Sequence, residues 1–472
     1  LDGAVLEPVS VEVVEESAAL APGQTGIPVV WSPWARVAFR IAFLYMFIFC
    51  FCYGNGTIFD LFGPLGSYFD QCMIWPFHQV ALWLGTHVFH LSGWVATFHP
   101  TGSGDTAMDW IMELVFVAFA LLGGLLWTVL AMARSNRRKE YATLYGWLRF
   151  FVRLTVGFFM LEYGLVKVFP LQMAPISIAI LNEPVGQMSP MTFLWAMIGL
   201  NPAYEMICGA AEVLGGALIL FRRTALAGSL ISAFVVTNVL LYNLFFDVPV
   251  KLFAANLLLG SLFLALPDGG PLFGFFFAHK PSVPKGVWFP PIKRKGWRIT
   301  ARVFECIISY GALVGGPIFL GIGWIQVQQA AHEKSPLLGA WKVDATHKAT
   351  GAFITAEGLP ATDLYIDTTT RAFTRSTDLA LWRTNLRIDA KADTLRIGQE
   401  TADPVLYSVN LTDANHLVLV SRPPKPDPKA KPDPKAKPFV PETVSLTREP
   451  VMAHYPLLER GFHWVNEWGL ER

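Results

Sequence analysis

The chain has 472 residues, of which 53% are hydrophobic and only 15% charged, with a mean hydropathy of +0.42. Soluble domains carry about 25% charged residues, so the deficit excludes an ordinary water-soluble protein and calls for side chains that face lipid. A formal charge of +1, from 37 Lys and Arg against 36 Asp and Glu, excludes a general nucleic-acid binder.

Residues 1–30 are acidic and rich in Val, Ala and Pro, with no basic segment leading into an apolar one. They read as an extramembrane arm rather than a cleavable signal. A helix that crosses about 30 Å of hydrocarbon needs roughly 20 residues. That length selects seven crossings, at 37–53, 110–133, 148–168, 204–221, 224–246, 252–266 and 301–325, within a membrane domain spanning 31–325. Segment 74–95 is also apolar and aromatic, but Pro76 and three histidines make it an interfacial helix rather than a span. Segment 191–200 is too short to cross and reads as re-entrant, or as half of a broken helix stopped at Asn201-Pro202.

Lys and Arg cluster at 134–149, 222–223 and 280–298, whereas the alternate connectors carry almost none except Lys251. The positive-inside rule then places the N-terminus in the cytoplasm and everything after 325 on the far side of a bacterial inner membrane. A crossing at 74–95 would break this alternation.

From Leu338 the texture changes to period-two strings such as AWKVDA, ATDLYIDTT, DTLRIG, VLYSVNL and HLVLVSR. These predict a small all-β barrel or meander over 336–449, following an all-α polytopic bundle. Its tryptophans, Trp341 and Trp382, read as core, and such a barrel has room for a lipid or a face for a protein. The Lys and Pro spacer 423–438 interrupts the strands as a projecting insertion, and VSLTRE at 444–449 returns as one more strand. Residues 450–472 form an aromatic tail with a closing helix.

Ionisable and amide groups in the spans mark where chemistry can live: Glu162, Lys167, Glu212, Asn238, Asn243, Asp247 and Lys251. Lys167, Asn243, Asp247 and Lys251 fall near the non-cytoplasmic ends of their spans and are expected to converge on one pocket. Glu212 lies deep, flanked by Gly209, Gly215 and Gly216, and Lys167 is its expected partner. Three accounts stay open: a packing ion pair, a quinone or lipid-headgroup pocket, and a proton or solute path. His78, His87, His90 and His99 with Asp105 form a second group, in which His87 and His90 share a face if the segment is helical. They are either ligands and proton shuttles or plain interfacial histidines. Ser103 or Asp105 is expected to cap the span that opens near Met108. Cys50, Cys52, Cys72, Cys208 and Cys306 lack CxxC or zinc-site spacing, so neither a metal site nor a disulfide framework is expected.

Several stretches together resemble the DoxX-like membrane family, in its larger variant with an extracytoplasmic domain. They are LEYGLVKVFPLQ (161–172), the run from Pro184 to Gly228 ending in LFRRTALAG, VTNVLLYNLFFDVPVKL (236–252) and NLLLGSLFLALPD (256–268), with GSGDT and RGFHWVNE outside the core. The resemblance marks Tyr163, Lys167, Gln172, Glu212, Arg222, Arg223, Asn238, Asp247 and Lys251. It implies a quinone-associated redox protein in which Lys167, Glu212, Asp247 and Lys251 bind or protonate ring oxygens. Tyr163, Gln172, Asn238, Asn243, His87 and His90 would surround a quinone or a bound lipid. No haem, flavin or iron-sulfur motif is visible, so electrons would come from a partner. The second reading is a non-catalytic subunit of a larger membrane complex, and whether the chain is an enzyme stays open. A transporter has less support, because no inverted repeat with paired broken helices is evident.

Overall fold

An apolar run becomes a helix in lipid because only intrachain hydrogen bonds can satisfy its backbone, and the long runs of this chain are helical. The computed structural model describes residues 31–53, 57–98, 103–133, 139–173, 175–281, 292–344, 353–354, 359–389, 393–399, 404–423, 441–450 and 456–459. They fall into two compact units, one comprising 1–99, 107–152 and 288–291 and the other 100–106, 153–287 and 292–472.

The first unit holds α1 (Pro33–Phe51), α2 (Pro64–His87), α3 (Ala107–Ala133) and the first part of α4 (Ala142–Val168). Ser32 opens α1, its hydroxyl accepting the Ala35 N–H at 3.1 Å, with Pro33 at the first helical position. Arg40 is buried, and its guanidinium donates to the Tyr141 hydroxyl at 2.9 and 3.1 Å and to the Thr128 hydroxyl at 2.8 Å. Helix α2 starts ten residues before the expected 74 and stops well short of 95, with Pro76 inside it. The expected helical face shared by His87 and His90 is not there. The helix ends at His87, and His90 adopts a left-handed φ of 53°. His87 instead turns back to Thr86 and to the Trp83 carbonyl. His99 lies outside the described residues.

The second unit continues α4 and adds α5 (Ile178–Leu181), α6 (Pro190–Gly199), α7 (Pro202–Leu220), α8 (Ala225–Phe245), α9 (Lys251–Ala265), α10 (Gly269–Ala278), α11 (Lys295–Tyr310) and α12 (Gly316–His332). A π-helical turn, Gly311–Gly315, joins the last two. Among the described residues seven helical stretches are long and apolar enough to cross a membrane: α1, α3, α4, α7, α8, Lys251–Ala278 and Lys295–His332. They coincide with the seven expected crossings, and α2 is not among them. The protein is a multi-pass membrane protein. At ten residues α6 is too short to cross, and Asn201 then caps α7, accepting the Ala203 N–H at 3.1 Å.

Eight antiparallel strands follow: β1 (Gly339–Val343), β2 (Ala361–Thr368), β3 (Arg371–Ser376), β4 (Leu381–Asp389), β5 (Thr394–Gln399), β6 (Val405–Leu411), β7 (His416–Ser421) and β8 (Thr443–Arg448). They form a closed barrel in sequence order. β8 returns after the spacer as expected and closes the barrel against β1 with Trp341 opposite Arg448 and Val343 opposite Leu446. Trp341, Leu364, Ile366, Leu395, Ile397, Tyr407 and Leu417 fill the interior. Trp341 donates its indole N–H to the Leu337 carbonyl at 2.8 Å. The barrel grips the α5 segment. Asp367 accepts the Ile178 N–H at 2.8 Å, Arg375 donates to the Asn182 carbonyl at 3.1 Å, and Ala179 packs with Ala340 and Tyr365. The N-terminal arm and the spacer 424–438 lie outside the described residues, as does all of the tail but 456–459, where Pro456–Glu459 is helical.

Candidate functional site

Two helices set the centre of the site, and glycines let them meet. A Cβ placed on Gly209 of α7 would lie 2.5 Å from the Gly164 carbonyl oxygen of α4, and one on Gly164 would lie 2.8 Å from the Val213 nitrogen. Neither position has space for a side chain, so the backbones touch there. This approach brings Lys167, in the last turn of α4, against Glu212, midway along α7. The ammonium donates to Glu212 Oε2 at 2.8 Å and both side chains are buried. The expected pairing is therefore present.

Beside the pair lies a cavity of about 580 Å³, enclosed by α4, the loop after it, and α6 to α9. Its lining is mostly apolar, including Met160, Leu194, Trp195, Ile198, Phe234 and Phe253. The polar minority includes Tyr163, Lys167, Gln172, Glu205, Glu212, Thr237, Asn238, Tyr242 and Asn243. Six of the expected site residues (Tyr163, Lys167, Gln172, Glu212, Asn238 and Asn243) thus come together. Tyr163 packs on Phe253 with ring centres 5.5 Å apart, and Asn243 donates to the Val250 carbonyl at 3.0 Å, which ties the α8–α9 turn.

Asp247 and Lys251 do not join them. Neither lines the cavity. Asp247 follows the end of α8 with a φ of 51°, and its side chain is 80% exposed. Lys251 pairs with Asp247 at 2.9 Å and with Asp105 at 3.6 Å. Ser103 or Asp105 was expected to cap α3; the Asp105 carboxylate caps α9. It accepts the N–H of Lys251 at 2.6 Å and that of Leu252 at 3.0 Å. A carboxylate at a helix N-terminus satisfies open donors and opposes the positive end of the dipole. The polar cluster at this end is thus a helix cap with an ion pair. Two further family-marked residues, Arg222 and Arg223, follow α7, and Arg222 reaches Glu305 at 3.4 Å. Glu305 also receives the guanidinium of Arg153, which is wholly buried and donates to the Leu220 carbonyl.

Glu205 lines the cavity and carries a carboxyl that motif reasoning missed. It is fully buried, and Oε1 accepts the Met173 N–H at 3.0 Å. The signal was present in the sequence: Glu205 and Glu212 are seven apart, two helical turns, and so face the same way. Among the described residues no group of three or more His, Cys, Asp or Glu is placed to hold a metal ion. The five cysteines are unbridged.

The fold and the site together define a multi-pass membrane protein with a mostly apolar cavity inside its helices and a packed eight-stranded barrel after them. No family model matches the chain and no solved structure matches it. The uncharacterized protein YwoB of Bacillus subtilis (strain 168) is 31% identical over 124 residues, which cover 26% of this chain and 79% of YwoB. The chain belongs to the same family as YwoB.

Proposed function

We propose that the cavity binds the ring of a quinone-class amphiphile and that the protein is a DoxX-like component of a quinone-linked redox system. One observation carries this reading. A mostly apolar cavity of about 580 Å³ has a buried Lys167–Glu212 pair in its wall. An apolar enclosure with a few convergent polar groups suits a flat ring with polar oxygens and an apolar tail. The ammonium and carboxylate supply a donor and an acceptor beside such a ring, and a proton can move between the two partners without changing the net charge of the pair. The YGLVKVFPLQ and EVLGGALILFRRT stretches resemble the DoxX-like family and agree with this assignment.

In this reading the chain sits in the bacterial inner membrane with its N-terminus in the cytoplasm and its barrel outside, a placement that the distribution of Lys and Arg supports. Electrons come from a partner protein. Trp195 in the cavity wall offers a direct test, since a bound quinone quenches indole fluorescence. Purified protein is expected to bind decyl-benzoquinone saturably, and Lys167→Met and Glu212→Gln to weaken binding about tenfold. Absence of saturable quenching, or unaltered binding in both variants, would sink the proposal.

A further inference from the structure

Helices α7 and α8 are joined by a short turn at 221–224 and touch beside it. A Cβ on Gly215 of α7 would lie 2.5 Å from the Ser232 hydroxyl oxygen of α8, and one on Gly228 of α8 would lie 2.5 Å from the Ile219 nitrogen of α7. Farther from the turn both helices line the cavity, α7 with Ile207, Cys208 and Ala211 and α8 with Phe234, Asn238 and Leu241. In the first turn of α7, Tyr204 hydrogen-bonds to Tyr242 in the last turn of α8, which ties the two helices again.

Between these two ties the wall differs from the rest of the cavity. Leu194, Ile198, Phe253 and Leu257 line the cavity and are buried. Ile207, Phe234 and Leu241 line the same cavity and are 68%, 78% and 44% exposed. Side chains that face a cavity and are also open on the molecular surface mark where the two meet. Both helices are long and apolar enough to cross a membrane, and these positions lie inside them, so the surface reached here is lipid. Asn238 is exposed on the same stretch, and its amide has no hydrogen-bond partner among the described residues. An amide in hydrocarbon is costly unless something polar reaches it, which suits a passage for a polar head better than a seam for an acyl chain.

We infer that the cavity opens sideways into the bilayer through a window between α7 and α8, and that its occupant is a long-chain amphiphile whose head enters and whose tail stays in the lipid. A cavity of about 580 Å³ matches a drug-sized molecule and has no room for a long polyprenyl tail. The window removes that limit. The head lies against the apolar lining, Asn238 meets its polar atoms at the rim, and the tail never leaves hydrocarbon. The inference rests on the proposed occupancy of the cavity and adds the occupant's route of entry and its length class.

Three benzoquinones with one head and a methyl, a decyl or a long polyprenyl tail decide it, titrated by tryptophan quenching against the full-length protein in phosphatidylcholine nanodiscs. With concentrations expressed per lipid, the polyprenyl quinone is expected to bind within about threefold of the decyl quinone. Ala211→Phe narrows the window, and the affinity of the polyprenyl quinone relative to the methyl one is expected to fall about tenfold. Ile207→Phe, at an exposed position on the same rim, carries the same test if Ala211→Phe does not fold. A loss shared equally by all three tails in the rim variants overturns the inference. If the wild type binds the decyl quinone and excludes the polyprenyl one, the inference fails and the proposed function survives. If none of the three binds, both fall.

Discussion

Lys167 and Glu212 face each other where neither has bulk water to fall back on. Taking each charge out of water costs several kcal/mol, and the pair recovers this only because the partner stands at 2.8 Å. Removing one partner should therefore be worse than removing both. Lys167→Met is expected to destabilise the protein by about 3–5 kcal/mol, and Lys167→Met with Glu212→Leu to recover most of that loss. Thermal melts of the four members of the cycle in one detergent check it; an additive double variant would contradict the pairing. Both members of this pair, and their pairing, were legible as opposite charges in apolar runs. Glu205 was not, because a carboxylate four residues into a span looks like an interfacial residue until the Met173 backbone is folded over it. Asp105 has a role that its place in the sequence does not show. The residues SGDT before a helix predict a local cap, whereas its carboxylate caps a helix 146 residues away.

At the scale of elements, α9 begins with an open set of backbone donors, and a residue far away in sequence satisfies two of them. Asp105→Ala removes this cap and one partner of Lys251, with an expected cost of about 1–2 kcal/mol. Hydrogen exchange should localise the loss to the first turn of α9, and protection unchanged there would contradict the assignment. Helix positions were readable because lipid imposes a minimum apolar length, so the seven runs stand out without any knowledge of packing. The strands were readable where inward residues are large and apolar. β3 was passed over because its inward residues are Ala372, Thr374 and Ser376, which alternate in direction but hardly in hydropathy. Its pairing with β2 and β4 makes it a strand, and Thr374 meets Thr384 across the ladder with hydroxyls 3.2 Å apart.

At the scale of the whole molecule, the barrel holds the α5 segment through Asp367, Arg371 and Arg375. That segment begins just after Gln172 and Met173, which line the cavity, and leads on to α6, which also lines it. Burial pushes the Asp367 carboxyl above its ordinary value of 3.8, against the opposing pull of Arg371 and of the Ile178 N–H. A carboxyl raised in the folded state binds its proton more tightly there than in the unfolded chain. Its contribution to stability is full below pH 3.8 and is lost as pH rises through the raised value. Asp367→Asn cannot ionise and can still accept the Ile178 N–H. The variant should therefore show a flatter dependence of barrel stability on pH above 3.8, followed by exchange of barrel amides. A slope equal to that of the wild type would refute the role of this carboxyl.

Apolar length and strand periodicity by themselves determined the seven long helices and the β domain, because hydrocarbon thickness and the pleat act on each segment separately. Polar groups inside apolar runs marked Lys167, Glu212, Asn238 and Asn243, and the resemblance added Tyr163 and Gln172. Only the tertiary structure decided which of those residues share a wall. It set Asp247 and Lys251 apart as an ion pair at the start of α9, added Glu205, and placed a cluster of apolar side chains inside the barrel. The physical reason is that a site depends on distances between residues far apart in sequence. Here those distances follow from the contact of Gly164 with Gly209, a fit of backbones that no local pattern encodes.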